Sequence, residues 1–224
     1  MPTQLRPKAA VAADAILVGD PGRSLLLAQE LLVEPSMSNH ARGLWGYTGA
    51  TPAGQELTIQ ATGIGGPSAA TVLADLAELG VRRAIRVGTC AGADGAARGE
   101  LLLVEAAIAH GGSAAAFGLA PGSAIAADPE LRRRLRRELS GEARTAKVAS
   151  FDSMPAGPGE VPGEAVAADM QTVAVLARAR ELAITAAAVV IVSEKIGSGD
   201  ALDDADLETA AKRVGRAASI VLST

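Results

Sequence analysis

A chain of 224 residues can bury one sizeable core, so a single domain over residues 1–224 is expected. Its 21 Lys and Arg against 25 Asp and Glu give a formal charge of -4, which argues against a nucleic-acid binder while allowing a local basic pocket. One cysteine, Cys90, excludes an internal disulfide or a cysteine metal cluster, and no apolar stretch is long enough to span a membrane.

Residues 14–18 read as a short apolar strand stopping at Gly19-Asp20-Pro21-Gly22-Arg23, with a helix over 24–32. Glycine permits a tight turn there, and Arg23 at the helix start favours an anion as much as a plain surface position. Residues 38–49 carry Asn39, His40, Arg42, Trp45 and Tyr47. The two aromatics are expected to pack under a hairpin, and Arg42 has no evident partner. A second strand, glycine turn and helix follow: 57–62, then Gly63-Ile64-Gly65-Gly66-Pro67-Ser68, then 69–79. The glycine spacing does not match a dinucleotide fingerprint.

The stretch Ala84 to Gly92 is the expected centre, a strand over 81–88 interrupted by Arg86. A charge inside an apolar strand must meet an anion or a carboxylate. Gly88 is expected to turn the backbone, and Thr89 to offer a hydroxyl and an N–H where open α/β sheets bind ligands. Beyond lie a strand (100–109), a loop (111–122) and a helix (129–140) whose arginines suit a solvated or inter-subunit face. A strand (143–150), a Pro/Gly loop (151–163) and a helix (164–182) holding Asp169, Met170 and Gln171 in its first half come next. The last strand (186–192) runs into Ser193-Glu194-Lys195, and a terminal helix covers 200–221. The expected fold is α/β: a three-layer sandwich with a central mixed sheet of at least six strands flanked by helices. With aromatics at only 2%, its core must be aliphatic, with close approach at Ala and Gly. His40 and His110 lack metal-ligand spacing, and no serine elbow is present. Arg6 and Lys8 are followed by no apolar run ending in a cleavage site, so a cytoplasmic location is expected.

Four spaced segments carry a resemblance: Val18 to Arg23, Arg42 to Gly49, Gly63 to Ser68, and Ile85 to Cys90. They resemble the nucleoside phosphorylase family that holds the hexameric purine nucleoside, methylthioadenosine and uridine phosphorylases. The likeness continues more weakly through Ala149 to Asp152, Ala168 to Gln171, and Val192 to Glu194. It implies a phosphorylase-like fold and cleavage of a nucleoside by inorganic phosphate, without metal or organic cofactor. The implied phosphate pocket is Gly19, Arg23, Arg86 and Thr89, completed by Arg42 of a neighbouring subunit in a homodimer, with a hexamer as trimer of dimers.

The implied nucleoside residues are Gln4, Met154, Asp169, Met170, Gln171 and Glu194, with Glu194 and Arg86 as catalytic groups. Several depart from the family pattern. Asp169-Met170-Gln171 replaces a Glu-Met-Glu run that grips ribose hydroxyls, and Gln4 replaces a histidine that crosses into a neighbour's site. Met154 replaces a base-stacking aromatic, and Glu194 replaces the aspartate that protonates a purine. A purine-type substrate is favoured through Glu194. The alternatives are a catalytically weakened binder of nucleoside or phosphate, and a nucleoside hydrolase.

Overall fold

The computed structural model of the protein describes residues 2–224. The first strand–turn–helix joints form as their glycines and caps suggest. β1 (Asp14–Val18) leads into α1 (Pro21–Leu31), with Pro21 in its first turn and the Asp20 carboxylate accepting the Arg23 N–H at 2.8 Å. The hairpin is β2 (Val33–Asn39) and β3 (Gly46–Ala50), separated by a 3₁₀ turn at Ala41–Gly43. β4 (Glu56–Ala61) then turns at Gly63 (φ +73) and Gly65 (φ +82) into α2 (Gly65–Glu78).

β5 (Arg83–Gly92) runs past the expected end at 88, so Gly88 lies inside a strand rather than at a turn. The reason for a glycine is steric. A Cβ there would fall 2.6 Å from Arg86 Cζ, because the guanidinium lies across that position. β6 (Leu101–Ala109), the single turn α3 (Gly112–Ala115), β7 (Ala124–Ala126), α4 (Pro129–Glu138) and β8 (Ala143–Ser150) follow.

The helix expected over 164–182 starts only at Thr172. Its first part is instead β9 (Ala167–Asp169), and α5 spans Thr172–Glu181. The helical period of this run is overridden because Ala167 and Ala168 fill a sheet position, antiparallel to β5 and parallel to β8. Asp169, Met170 and Gln171 therefore occupy a strand end and the turn after it, not a helix face. β10 (Thr185–Lys195) carries a register shift between Val192 and Glu194, and α6 spans Asp204–Leu222.

The sheet order is β10-β6-β8-β9-β5-β1-β4-β3-β2, with β7 on β6. β10 also pairs with β5, so β5, β10, β6, β8 and β9 close into a ring, and β1, β4, β3 and β2 extend from it as a wing. β1 is parallel to both β4 and β5, as the expected first half requires. Helices α1, α4 and α6 pack together, as do α2, α3 and α5, flanking the mixed sheet. The aliphatic core does rest on close approach: a Cβ on Gly215 of α6 would meet Leu27 of α1 at 2.8 Å. Tyr47 is buried and Trp45 packs against the core beneath the hairpin.

Candidate active site

The parallel strands β1, β4, β5 and β10 deliver their carboxyl ends to one place, where β9, antiparallel to β5, joins them. The ends of β1, β4, β5, β9 and β10, with the start of α1 and α2, line a cavity of about 940 Å³. Every residue expected at the site is in its lining: Gly19, Arg23, Arg42, Arg86 and Thr89, together with Gln4, Met154, Asp169, Met170, Gln171 and Glu194. Gln4 and Arg42, which the resemblance sends to a neighbouring subunit, line the cavity of their own chain.

The two central arginines live in different chemistry. Arg86 is 4% exposed, and all three guanidinium nitrogens are bonded within the chain. Nη2 donates to Asp169 at 2.9 Å, Nη1 to Gln171 Oε1 at 2.8 Å, and Nε to Thr172 Oγ1 at 3.1 Å. The sequence argument that a buried arginine must find an anion or carboxylate is answered by Asp169, whose side chain is fully buried. That carboxylate also accepts the Thr172 hydroxyl and the Ser150 hydroxyl, each at 2.5 Å, and the Thr172 N–H at 3.0 Å. It starts α5 while neutralising Arg86.

Among the described residues the Arg23 side chain has no ion-pair partner and donates no hydrogen bond. Burial lowers its pKa, Asp20 partly restores it, and repulsion from Arg86 lowers it further. A guanidinium stays protonated under those pressures, so this one gains from an anion that arrives from solution. Arg42, held at φ 59 in the 3₁₀ turn, and the Thr89 hydroxyl add further uncommitted donors to the same cavity.

Gln171 is 4% exposed and most of its amide is engaged within the chain. Its Oε1 accepts from Arg86 and from Thr62 Oγ1 at 3.1 Å, while Nε2 donates to the carbonyls of Gly63 at 2.6 Å and Gly65 at 3.3 Å. Both N–H groups are thereby used, while Oε1 shares the single Thr62 hydroxyl proton with the Val18 carbonyl, which lies nearer at 2.9 Å. Glu194 differs. It is exposed, lies beyond the shift in β10, and makes no ion pair with Lys195. Cys90 is buried, and desolvation pushes its thiol well above the ordinary cysteine range, so it has no nucleophilic character. Asp152 ties down the start of α3, accepting the Ser113 N–H at 3.1 Å and the Ser113 hydroxyl.

Residues 14–224 match the sequence profile of the phosphorylase superfamily. The chain belongs to that superfamily. Two curated relatives are DeoD-type purine nucleoside phosphorylases. The one from Clostridium beijerinckii is 39% identical over 87 residues, 38% of this chain and 36% of the relative. That from Oceanobacillus iheyensis is 40% identical over 92 residues, 40% of this chain and 39% of the relative. The alignments thus span well under half the length of these relatives. The crystal structure of a purine nucleoside phosphorylase from Toxoplasma gondii in complex with immucillin-H has the same fold. It gives a TM-score of 0.84 at 21% identity, over 100% of this chain and 98% of that one.

The residues expected from the sequence line this cavity, but the side chains that fix its lining were not among them. Thr172, which joins Arg86 to Asp169, follows Gln171 directly and was obscured by the helix expected there. Thr62 and Ser150 are the last polar residues of their strand segments, positions where a hydroxyl can bond across to a neighbour. Asp75 was marked only by being an acid among the buried positions Val72, Leu73 and Leu76 of α2.

Proposed function

We propose that the protein cleaves the N-glycosidic bond of a nucleoside by phosphorolysis, with a purine-type base favoured. The observation that carries this reading is a partly buried, unpaired guanidinium, Arg23, in the same cavity as an unpaired carboxyl group, Glu194. One suits a nucleophilic oxyanion and the other a leaving base. Orthophosphate would be held by Arg23, Arg42, Thr89 and the Gly19 backbone, with its oxygen facing the anomeric carbon. As the C–N bond breaks and the C–O bond to phosphate forms, positive charge develops on the sugar and negative charge on the base. The bound phosphate stabilises the first, and its placement makes the attack effectively intramolecular. Glu194 in its protonated form donates to the departing base, giving free base and sugar 1-phosphate. The DeoD-type relatives and the fold of the Toxoplasma enzyme support the reaction class.

Arg86 acts here chiefly by fixing Asp169 and Gln171, with its remaining N–H groups available to the anion. Because Gln171 is largely engaged within the chain, a sugar lacking a hydroxyl, or a modified nucleoside, suits the site better than an ordinary ribonucleoside. The same engagement favours a second reading, a binder of nucleoside and phosphate without turnover. The family's homodimer and hexamer belong to the first reading.

Base release from a nucleoside panel, with and without orthophosphate, tests the proposal. Release that requires phosphate is expected. Release without it identifies a hydrolase, and ternary binding by calorimetry without any release supports the binder.

A further inference from the structure

One buried carboxylate holds the beginning of the chain. Asp75, in the third turn of α2, is 3% exposed. It accepts the backbone N–H groups of Thr3 at 2.8 Å, Gln4 at 2.6 Å and Leu5 at 2.8 Å, and the Thr3 hydroxyl at 3.3 Å. Burial by itself would raise its pKa, but these amides bring it below the ordinary aspartate value. Three consecutive N–H groups on one carboxylate fix the backbone of this segment far more tightly than apolar contact would.

The segment continues as a belt. The Arg6 N–H donates to Asn39 Oδ1 at 2.8 Å and the Lys8 N–H to the Ser38 carbonyl at 2.7 Å. The Asn39 amide donates in turn to the Leu44 carbonyl at 2.5 Å, spanning the turn that carries Arg42. The belt therefore joins α2 to the hairpin: its Thr3 to Leu5 part places Gln4, whereas Arg42 sits in the turn that Asn39 spans through its own bond to Leu44. Asp75 lies outside the lining, one turn beyond Thr71 and Val72, which are in it. The Gln4 amide makes only a long contact with Thr3 Oγ1, at 3.5 Å, so most of its hydrogen-bonding capacity is free for a ligand.

We propose that Asp75 is a positioning residue: it straps the segment Thr3 to Leu5 across α2 and so sets Gln4 against the nucleoside. The proposal rests on the nucleoside reading of the cavity. It differs from a purely architectural role because a lost strap should weaken nucleoside binding and leave the phosphate seat intact.

The test compares wild type, Asp75→Asn, Gln4→Ala and the double variant. The readouts are steady-state kinetics at saturating phosphate, calorimetry with orthophosphate, and amide hydrogen exchange of residues 3–5. Asp75→Asn is expected to expose those amides to exchange. It should raise the nucleoside KM about fivefold to tenfold, an effect on the order of one hydrogen bond. Gln4→Ala should raise KM to a similar extent and add nothing to Asp75→Asn, while kcat and the phosphate Kd stay within about twofold. Thr3→Pro removes two of the donors, the Thr3 N–H and its hydroxyl, from outside the core and leaves the Gln4 and Leu5 N–H groups on Asp75, so it should move KM in the same direction by less, even where Asp75→Asn folds poorly. Unchanged KM with freed amides would overturn the proposal, as would full additivity in the double variant or a parallel loss of kcat and phosphate affinity. If the wild type turns over no nucleoside, the phosphorolysis reading fails. The strap is then judged by nucleoside calorimetry, where equal affinity in wild type and Asp75→Asn overturns it and weaker affinity in the variant supports it.

Discussion

Replacing Asp169 by Asn removes the charge from a pair whose two side chains are 4% and 0% exposed. The amide keeps the volume and one acceptor oxygen, but Arg86 then holds an uncompensated charge in the interior. Breaking one side of a buried pair costs about 3–5 kcal/mol. The lower end applies here, because the amide oxygen can still take one of the bonds from Arg86, Thr172 or Ser150. At about 2.1 cal/mol/K per residue, a chain of 224 residues loses about 6 °C in Tm for ~3 kcal/mol. The second consequence has the opposite sign. With Asp169 neutral, Arg86 adds an unbalanced positive charge to a cavity that already holds Arg23 and Arg42, so orthophosphate should bind about threefold to tenfold more tightly. Thermal melts with and without phosphate, alongside titration calorimetry, read both effects: the variant melts lower without ligand and gains more than wild type when phosphate is added. A Tm within about 2 °C of wild type, or weaker phosphate binding, would refute the assignment of Asp169 as the counter-charge of Arg86.

Arg23→Gln removes a guanidinium that makes no hydrogen bond or ion pair among the described residues, so Tm should hold while the phosphate Kd rises at least about tenfold by calorimetry. Glu194→Gln should lower kcat by roughly 10²–10⁴ without moving Tm, since its carboxyl group is exposed and unpaired; steady-state assays and melts check both. Gln171→Glu puts a carboxylate where Nε2 now donates to the Gly63 and Gly65 carbonyls. It should cost about 2–3 kcal/mol in a denaturant melt, although it restores the residue type of the resembled family.

The parts of the molecule legible in the sequence were those set by local chemistry. Asp20 and Pro21 announce α1, the glycines at 63 and 65 announce the turn into α2, and the alternation of apolar runs with helices announces the mixed sheet. What stayed hidden depended on contacts between distant segments. Ala167 and Ala168 suit a helix as well as a strand, and only pairing with β5 and β8 decides between them. Gly88 reads as a turn until the Arg86 guanidinium is seen lying across it. The site shows the same division. Arg23, Arg86 and Thr89 were legible by residue type and the nucleoside residues only through the family resemblance, but the engagement of Gln171 by Thr62, Gly63, Gly65 and Arg86 joins segments more than 80 positions apart.

The scarcity of aromatic residues leaves the chain with one tryptophan, and its place is informative. Trp45 lies three positions after Arg42, and its carbonyl accepts the Ala61 N–H at 2.8 Å and the Ser24 hydroxyl at 3.0 Å. Its indole is thus an intrinsic optical reporter wired to the segment that delivers a cavity arginine. Emission from this single fluorophore, free of background from any other indole, would report any change at that turn on anion binding without a label or an engineered probe.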